Sequence, residues 1–294
     1  MRPLSRLALV ALTLTWAAAW PAVSGAQLLG SDFAGNLYDV DPATGAATNR
    51  RSTGINNLVG LAYSADGVLY ALSSFDNPAG DNSLFRVDPV TGARSLVGTT
   101  GVRVFEGDLA YQPTTGALFG LTGRVAETPN HLLRIDPATG AAASVGMIRG
   151  GGVNAEDLEP SAMAFAPDGT LYVLNTGQPF SGPDVETLLT VNPATAEVLS
   201  AVNVSGSLGY VAGMTFDPAS GRLYVVDGYG STDVDPGAAR RLQTLDPATG
   251  VLTSVGPLGL PLGLSALVAV PEPGAAVAAC LAAVLVLRRR RPGY

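Results

Sequence analysis

Short segments of alternating apolar and polar residues, each ended by Gly, Pro, Asn or Asp, fill the chain from about residue 27 to 270. Alternation with a period of two is typical of half-buried β-strands, and closely spaced turn residues leave little room for amphipathic helices. Among 294 residues there are 36 Gly and 21 Pro, which disfavours helical bundles and coiled coils. We therefore predict an all-β fold.

The strand pattern repeats about every fifty residues. The string Asp-Pro-x-Thr-Gly occurs at residues 41, 88, 136 and 246, with a degenerate copy at residue 192. In each repeat an alternating strand precedes this turn and a second strand follows it. A strand rich in small residues and a Gly-x-Leu-Tyr/Phe strand then complete the unit. Four strands joined in order by tight turns are typical of the four-stranded antiparallel blade of a β-propeller.

Counting strands predicts five blades, about 20 strands, and the way in which the ring closes. The last repeat ends with only a small-residue strand at 264–270, whereas residues 27–32 resemble a Leu-Tyr strand. We expect this N-terminal strand to close the last blade, which leaves no open sheet edge there. We place the small-residue strand nearest the axis and expect Tyr70, Phe119, Tyr172 and Tyr224 to pack between blades.

The two ends differ from the repeats. Residues 1–26 carry Arg2 and Arg6, an apolar run and then Ser24-Gly25-Ala26, a pattern typical of a secretory signal peptide. At the other end, Pro271-Glu272-Pro273 precedes an apolar segment at 274–287 and the basic cluster Arg288, Arg289, Arg290 and Arg291. Fourteen helical residues reach about 21 Å, which is short for a permanent membrane anchor.

The order of Pro-Glu-Pro, short apolar helix and arginine cluster closely resembles the PEP-CTERM sorting signal of Gram-negative bacteria. The resemblance covers 271–294 and implies processing by an exosortase. It also implies export through the inner membrane, with a transient or retained anchor, to the periplasm, cell surface or extracellular matrix. The alternative is an ordinary short anchor. The repeats at 27–270 resemble YVTN, NHL and quinoprotein-like propellers, a likeness that implies fold rather than activity.

Charge and cysteine content narrow the function classes for residues 27–270. Without Arg2, Arg6, the four terminal arginines and Glu272, the chain keeps 11 of 17 basic and 23 of 24 acidic residues, a charge of about −12. Such an acidic surface disfavours nucleic acid as a partner. The single Cys280 lies in the apolar segment, so thiol chemistry in the repeats is excluded. No Walker, HExxH or CxxC motif occurs.

Carboxylates before two inner strands are the sharpest candidate site. Tight turns occupy one face of the predicted ring, and the long irregular loops occupy the other, so we expect binding residues on the long-loop face. These carboxylates are solvated loop charges, a cation site or a catalytic pair, and their spacing does not separate the three. The group comprises Glu106, Asp108, Glu156, Asp157 and Glu159.

Two further loops are weak calcium candidates, since neither has EF-hand spacing. They contain Asp76 and Asp81, and Asp227, Asp233 and Asp235. The single histidine, His131, is expected to be a loop or cap residue. No cofactor is required by the sequence, and Ca²⁺ is the one that it allows.

Three functions remain open at the level of the sequence. The leading hypothesis is an exported, non-enzymatic propeller that binds a polysaccharide or a surface protein, with signal peptidase and exosortase as partners during export. A propeller hydrolase or lyase acting on glycans through the loop carboxylates is the first alternative. A purely structural matrix component is the second.

Overall fold

The computed structural model describes residues 27–74, 82–104, 107–123, 126, 128–152, 158–176, 186–205, 211–227 and 240–271. Its regular elements are twenty β-strands, numbered β1 to β20 in chain order: Leu28–Ser31, Asn36–Val40, Ala47–Ser52, Leu58–Tyr63, Leu69–Ser73, Ser83–Val87, Arg94–Thr99, Leu109–Gln112, Ala117–Leu121, His131–Ile135, Ala142–Met147, Pro160–Phe165, Leu171–Asn175, Thr187–Val191, Val198–Asn203, Val211–Asp217, Arg222–Asp227, Arg241–Leu245, Leu252–Pro257 and Ala266–Ala269.

The strands form five four-stranded antiparallel sheets, which confirms the predicted five-bladed propeller. Blade 1 has the order β20-β1-β2-β3, and blades 2 to 5 comprise β4–β7, β8–β11, β12–β15 and β16–β19. Within the described residues no helix long and apolar enough to cross a membrane is found. The helices predicted within 1–26 and at 274–287 lie outside the described residues.

Blade 1 joins the two ends of the ring, as the strand count predicts. Leu29 of β1 lies opposite Val268 of β20 on one side and Asp39 of β2 on the other. Beyond the ladder, the Val270 N–H donates to the Gln27 carbonyl at 2.7 Å. Since β1 pairs on both sides, it has no free edge, and strand pairing between the two ends of the chain closes the ring.

Apolar side chains fill the five interfaces between neighbouring blades, one cluster at each interface. Tyr70 and Phe119 are buried there, and Tyr172 and Tyr224 pack at the margins of their clusters. The innermost strands approach each other closely. A Cβ on Gly60 would lie 2.6 Å from the Leu109 backbone nitrogen of the next blade. Small residues on these strands therefore permit a narrow ring.

The repeated turns follow the predicted chemistry. In the first, the Asp41 carboxylate accepts from the Ala43 N–H at 2.8 Å and the Gly45 N–H donates to the Asp41 carbonyl. In the degenerate copy, Asn192 accepts from Ala194 in the same way. These bonds satisfy backbone donors within the turn itself, which explains why Asp or Asn begins each copy.

Candidate ligand-binding site

An apolar pocket of about 480 Å³ lies on the axis, at the ends of the five innermost strands. Three consecutive strand positions from every blade line it, together with residues of the adjoining tight turns such as Ala65, Pro113, Pro167 and Pro218. The pocket therefore opens on the tight-turn face, opposite to the long loops. Its volume is within the range of small-molecule sites, which are typically concave and mostly apolar.

Four aromatic residues form a collar at the turn end of the pocket, and we call them the aromatic collar: Tyr63, Tyr111, Phe165 and Phe216. The pairing of each with the neighbouring strand shows that they occupy the same position in blades 2 to 5. By the same register, blade 1 has Ala269 there. The collar is consequently incomplete at blade 1, where the chain leaves β20 and Pro271 lines the pocket.

Two rings of the aromatic collar contact aromatic residues that the sequence predicts to pack between blades. The Phe165 ring lies 5.3 Å from that of Phe119, tilted by 52°, and the Phe216 ring stacks on Tyr172 at 6.2 Å. Aromatic pairs at such separations stabilise one another beyond the area they bury. The collar is thus held by the interfaces between blades.

The pocket wall carries no ionisable side chain apart from its two tyrosines, among the lining residues that the structure describes. Burial raises the pKa of Tyr63 to about 12, although Arg51 opposes the shift. Tyr63 therefore stays neutral at physiological pH. A neutral wall of this kind suits an apolar or aromatic ligand and offers no general acid or base near neutral pH.

Tight-turn carboxylates lie on the same face of the propeller as this apolar opening, and we call six of them the turn ring: Asp41, Asp66, Asp88, Asp136, Asp168 and Asp246. Hydrogen bonds from backbone N–H groups hold the pKa of Asp41, Asp88, Asp136, Asp168 and Asp246 below the usual aspartate value. They remain charged at neutral pH. One of them, Asp246, lies 3.7 Å from the Arg222 guanidinium. The pocket face combines an apolar centre with an acidic periphery.

Asp108 is the predicted site residue whose surroundings are best defined. It is 1% exposed, and its two carboxylate oxygens accept from the N–H groups of Leu109, at 2.7 Å, and Met163, at 2.9 Å. Met163 belongs to the next blade, so Asp108 ties blades 3 and 4 together close to the axis. Desolvation raises its pKa well above the usual value, against the effect of both hydrogen bonds. Both oxygens are already used by the backbone, which favours a structural role.

Most other predicted site residues lie outside the described residues. Glu159 is half-buried, and its N–H donates to the Asn175 side chain at 2.6 Å. The strand β17 ends at Asp227, and no group of metal-ligating side chains occurs within the described ranges. His131, expected in a loop or cap, is instead the first residue of β10, and its Nδ1 donates to the Pro129 carbonyl at 2.8 Å. The undescribed members are Asp76, Asp81, Glu106, Glu156, Asp157, Asp233, Asp235, Glu272, Pro273 and Arg288–Arg291.

Sequence reasoning missed the aromatic collar, although a signal was present. In each of the four strands that carry the collar, a small or polar residue, Ala62, Ala110, Ala164 or Thr215, directly precedes the aromatic one. This recurrence predicts a strand equally well with or without a pocket. Only the closed ring reveals that the aromatic positions of four blades meet around one axis.

Arg240 is a second feature that the sequence did not reveal. It directly precedes β18, as Asn82 precedes β6 and Asn130 precedes β10. In each of these blades the backbone carbonyl of this residue accepts a hydrogen bond from the backbone N–H of the residue that follows the fourth strand. Arg240 is 5% exposed, and its Nε and Nη1 have no hydrogen-bond partner among the residues that the structure describes. A buried guanidinium in this state is energetically unfavourable.

The fold and the axial pocket define the class of the protein, a five-bladed β-propeller. Residues 107–263, more than half of the chain, match the family described as a repeat of unknown function (DUF6923), and the chain belongs to this family. No curated protein matches the sequence.

Solved structures with a similar fold have little sequence in common with this chain. A protein of unknown function from Bacteroides caccae is 14% identical with a TM-score of 0.52, over 84% of this chain and all of its own. Hydrazine synthase of Kuenenia stuttgartiensis is also 14% identical, with a TM-score of 0.44, over 74% of this chain and 59% of its own. A symmetrical protein studied for its de novo evolutionary emergence is 19% identical, with a TM-score of 0.48, over 84% of this chain and all of its own. The first of these likenesses shows the fold alone.

Proposed function

We propose that this protein is an exported, non-enzymatic binding propeller of the cell surface or extracellular matrix. The pattern of residues 1–26 and the Pro-Glu-Pro segment support export and handling by an exosortase system, with an inner-membrane anchor that is transient or retained. The observation that carries the binding role is the axial pocket, which is apolar, is lined by all five blades and has no charged side chain among its described lining residues.

The lining favours an apolar or aromatic group as the ligand. Aliphatic side chains form the floor and the collar supplies ring faces and edges, whereas polar groups such as Ser64 and Thr215 are few. A polysaccharide chain needs many hydrogen-bond partners, so we place the apolar substituent of a surface polymer or protein in the pocket rather than its polar backbone.

Binding of an uncharged apolar fluorescent probe such as Nile red to residues 27–271 tests this role. We expect saturable binding that Phe216→Ala weakens at least tenfold, while Leu96→Ala, on an outer strand and 62% exposed, leaves it unchanged. Competition by a panel of apolar and glycan ligands then ranks ligand classes. A probe that fails to saturate, or equal binding by both variants, would favour the purely structural alternative.

The hydrolase or lyase alternative is not favoured by any observed contact. Of the carboxylates that it requires, the structure describes two. The Asp108 oxygens accept from backbone N–H groups, and Glu159 precedes a different strand, β12. Turnover of a glycan panel that Glu106→Gln abolishes would establish it. Calcium binding by the Asp76–Asp81 and Asp227–Asp235 loops likewise stays a prediction, to be tested by melting in calcium and in chelator.

A further inference from the structure

The described part of the chain ends at the axial pocket, shortly before the apolar segment 274–287. Pro271 lines the pocket wall, and Gly274 is three residues further along the chain. Three residues span at most about 11 Å, so the start of the segment cannot move far from the opening. A tethered ligand of this kind has an effective concentration in the millimolar range, which favours it over a free ligand of similar intrinsic affinity.

The shape of the opening matches this point of attachment. The collar has aromatic residues in blades 2 to 5 but Ala269 in blade 1, two residues before Pro271. The gap therefore lies on the side from which the segment starts. Between Gly274 and Leu287 every residue is apolar or glycine, with no charge to desolvate on entering an apolar pocket.

The charges of the two partners are also complementary. Arg288, Arg289, Arg290 and Arg291 follow the apolar segment directly, and the turn ring lies on the same face as the apolar opening. Backbone hydrogen bonds lower the pKa of Asp41, Asp88 and Asp136, so these carboxylates are negative at neutral pH. An apolar stretch followed by four cations thus matches a face with an apolar centre and anionic turns further out.

We infer that the axial pocket is the docking site of the chain's own apolar segment 274–287, with Arg288–Arg291 lying against the turn ring. Only part of the segment fits a volume of about 480 Å³, so a few of its aliphatic side chains enter and the remainder covers the opening. The segment leaves when it inserts into a membrane or is removed. The pocket then becomes accessible to the external ligand of the proposed function.

The single native cysteine provides the test, because Cys280 is in this segment and residues 27–271 contain no other. Ala65→Cys and Pro167→Cys place a second thiol at the pocket wall, and Ala194→Cys, exposed in the Asn192 outer turn of the same face and outside the turn ring, is the control. In monomeric chains of residues 27–294 under mild oxidation, we expect an intramolecular disulfide with Cys280 to form at least tenfold faster from one of the wall positions than from the control.

Equal rates from wall and outer turn, or no disulfide from either wall position, would overturn the inference. A second measurement needs no substitution. Cys280 in the chain of residues 27–294 should react with a thiol reagent at least tenfold more slowly than in a free peptide of residues 272–294, and Arg288–Arg291→Ser together with high salt should reduce this protection. Equal reactivity of chain and peptide would count against docking.

Failure of the inference and failure of the proposed function are distinguishable. The probe experiment uses residues 27–271, which contain all five blades and lack the segment. Probe binding without Cys280 protection would refute docking and leave the binding function standing. Protection without probe binding would refute the external ligand and leave the docking site.

Discussion

The buried carboxylate of Asp108 makes the stability of this propeller depend on pH in an unusual direction. Its pKa is raised by desolvation, so between the unfolded value near 3.8 and the folded value the native state binds more protons. The stability that this residue contributes is present below the unfolded pKa and is lost as pH rises through the folded pKa.

Asp108→Asn removes this titration and keeps one oxygen acceptor. We expect the free energy of unfolding of the native chain, minus that of the variant, to decrease as pH rises from about 4 towards neutrality. Urea denaturation of both proteins across this range measures the difference. A difference that is constant with pH would show that Asp108 has the same proton affinity in both states.

Alanine substitutions at two glycines with similar backbone angles distinguish the energetic cost of backbone strain from that of steric crowding. Gly250 has φ +70° and its added Cβ would lie 2.1 Å from the Asn203 carbonyl oxygen of the preceding blade. Gly67 has φ +81° with nothing within 4 Å. Both alanine variants incur left-handed strain of about 1–2 kcal/mol, and crowding adds about 1–3 kcal/mol at Gly250 alone.

Chemical denaturation of Gly250→Ala and Gly67→Ala checks this pair. The Gly250 variant should be the less stable by at least about 1 kcal/mol. Similar losses in both would mean that the contact between this turn and the preceding blade relaxes freely. The same contact recurs at Gly45, whose added Cβ would lie 2.5 Å from the Gly256 carbonyl oxygen.

The buried Arg240 guanidinium predicts a stabilising substitution. Its Nε and Nη1 have no hydrogen-bond partner within the described part of the chain, and an unpaired buried charge is costly. Arg240→Met retains most of the side-chain volume without the charge, and we expect it to raise the free energy of unfolding by about 1–4 kcal/mol. A loss in stability, measured by urea denaturation, would show instead that the guanidinium is paired.

At the scale of elements, the closing strand β1 connects what are otherwise the two ends of the ring. Leu29 is 2% exposed and packs at the interface of blades 1 and 2. Leu29→Ala should cost about 2–5 kcal/mol, as expected for truncating a buried leucine. Leu96→Ala, on the outer strand β7 and 62% exposed, should cost below about 0.5 kcal/mol. Comparable losses would indicate that β1 contributes little to closure.

The elements also show which parts of the fold follow from local chemistry. Each turn sequence fixes a hairpin on its own, so strand number, order and the pairing of β1 with β20 are predictable from the repeats. The bulges are different. β6 and β10 shift register between Leu84 and Phe85 and between Leu132 and Leu133, as seen against their fourth strands. At these shifts Gly98 and Gly146 of the fourth strands lie opposite Leu84 and Leu132, and a Cβ added to Gly98 would collide with the Thr139 carbonyl oxygen of the next blade. The recurring Val-Gly marks the place, but the close approach between blades appears only in the closed ring.

The pocket escapes sequence prediction for a related reason. Tyr63 and Phe216 are far apart in the chain and become neighbours of one cavity only after five blades close. The long-loop face was the expected site because irregular loops attract binding residues. In contrast, the described pocket lies on the face where every turn is tight, and it is made of strand ends rather than loops.

For the molecule as a whole, the turn ring predicts how the propeller responds to acid. Backbone N–H groups lower the pKa of Asp41, Asp88, Asp136 and Asp246 in the folded state. The stability contributed by a carboxylate with a depressed pKa is present above the unfolded value and is lost as pH falls through the folded value. We therefore expect protonation of these four carboxylates to lower the free energy of unfolding of the propeller below about pH 4.

The chain itself contains the control for this prediction, because the degenerate turn uses Asn192, whose side-chain oxygen accepts the Ala194 N–H at 2.9 Å. Asparagine thus keeps the turn bond without titrating. Asp→Asn at all four positions should leave the free energy of unfolding at pH 7 little changed and flatten its fall between pH 4 and 3, as urea denaturation at each pH would show. If the free energy of unfolding of the variant falls as steeply between pH 4 and 3 as that of the native chain, carboxylates outside these turns control acid unfolding. The variant removes every titrating group of the Asp-Pro-x-Thr-Gly motifs.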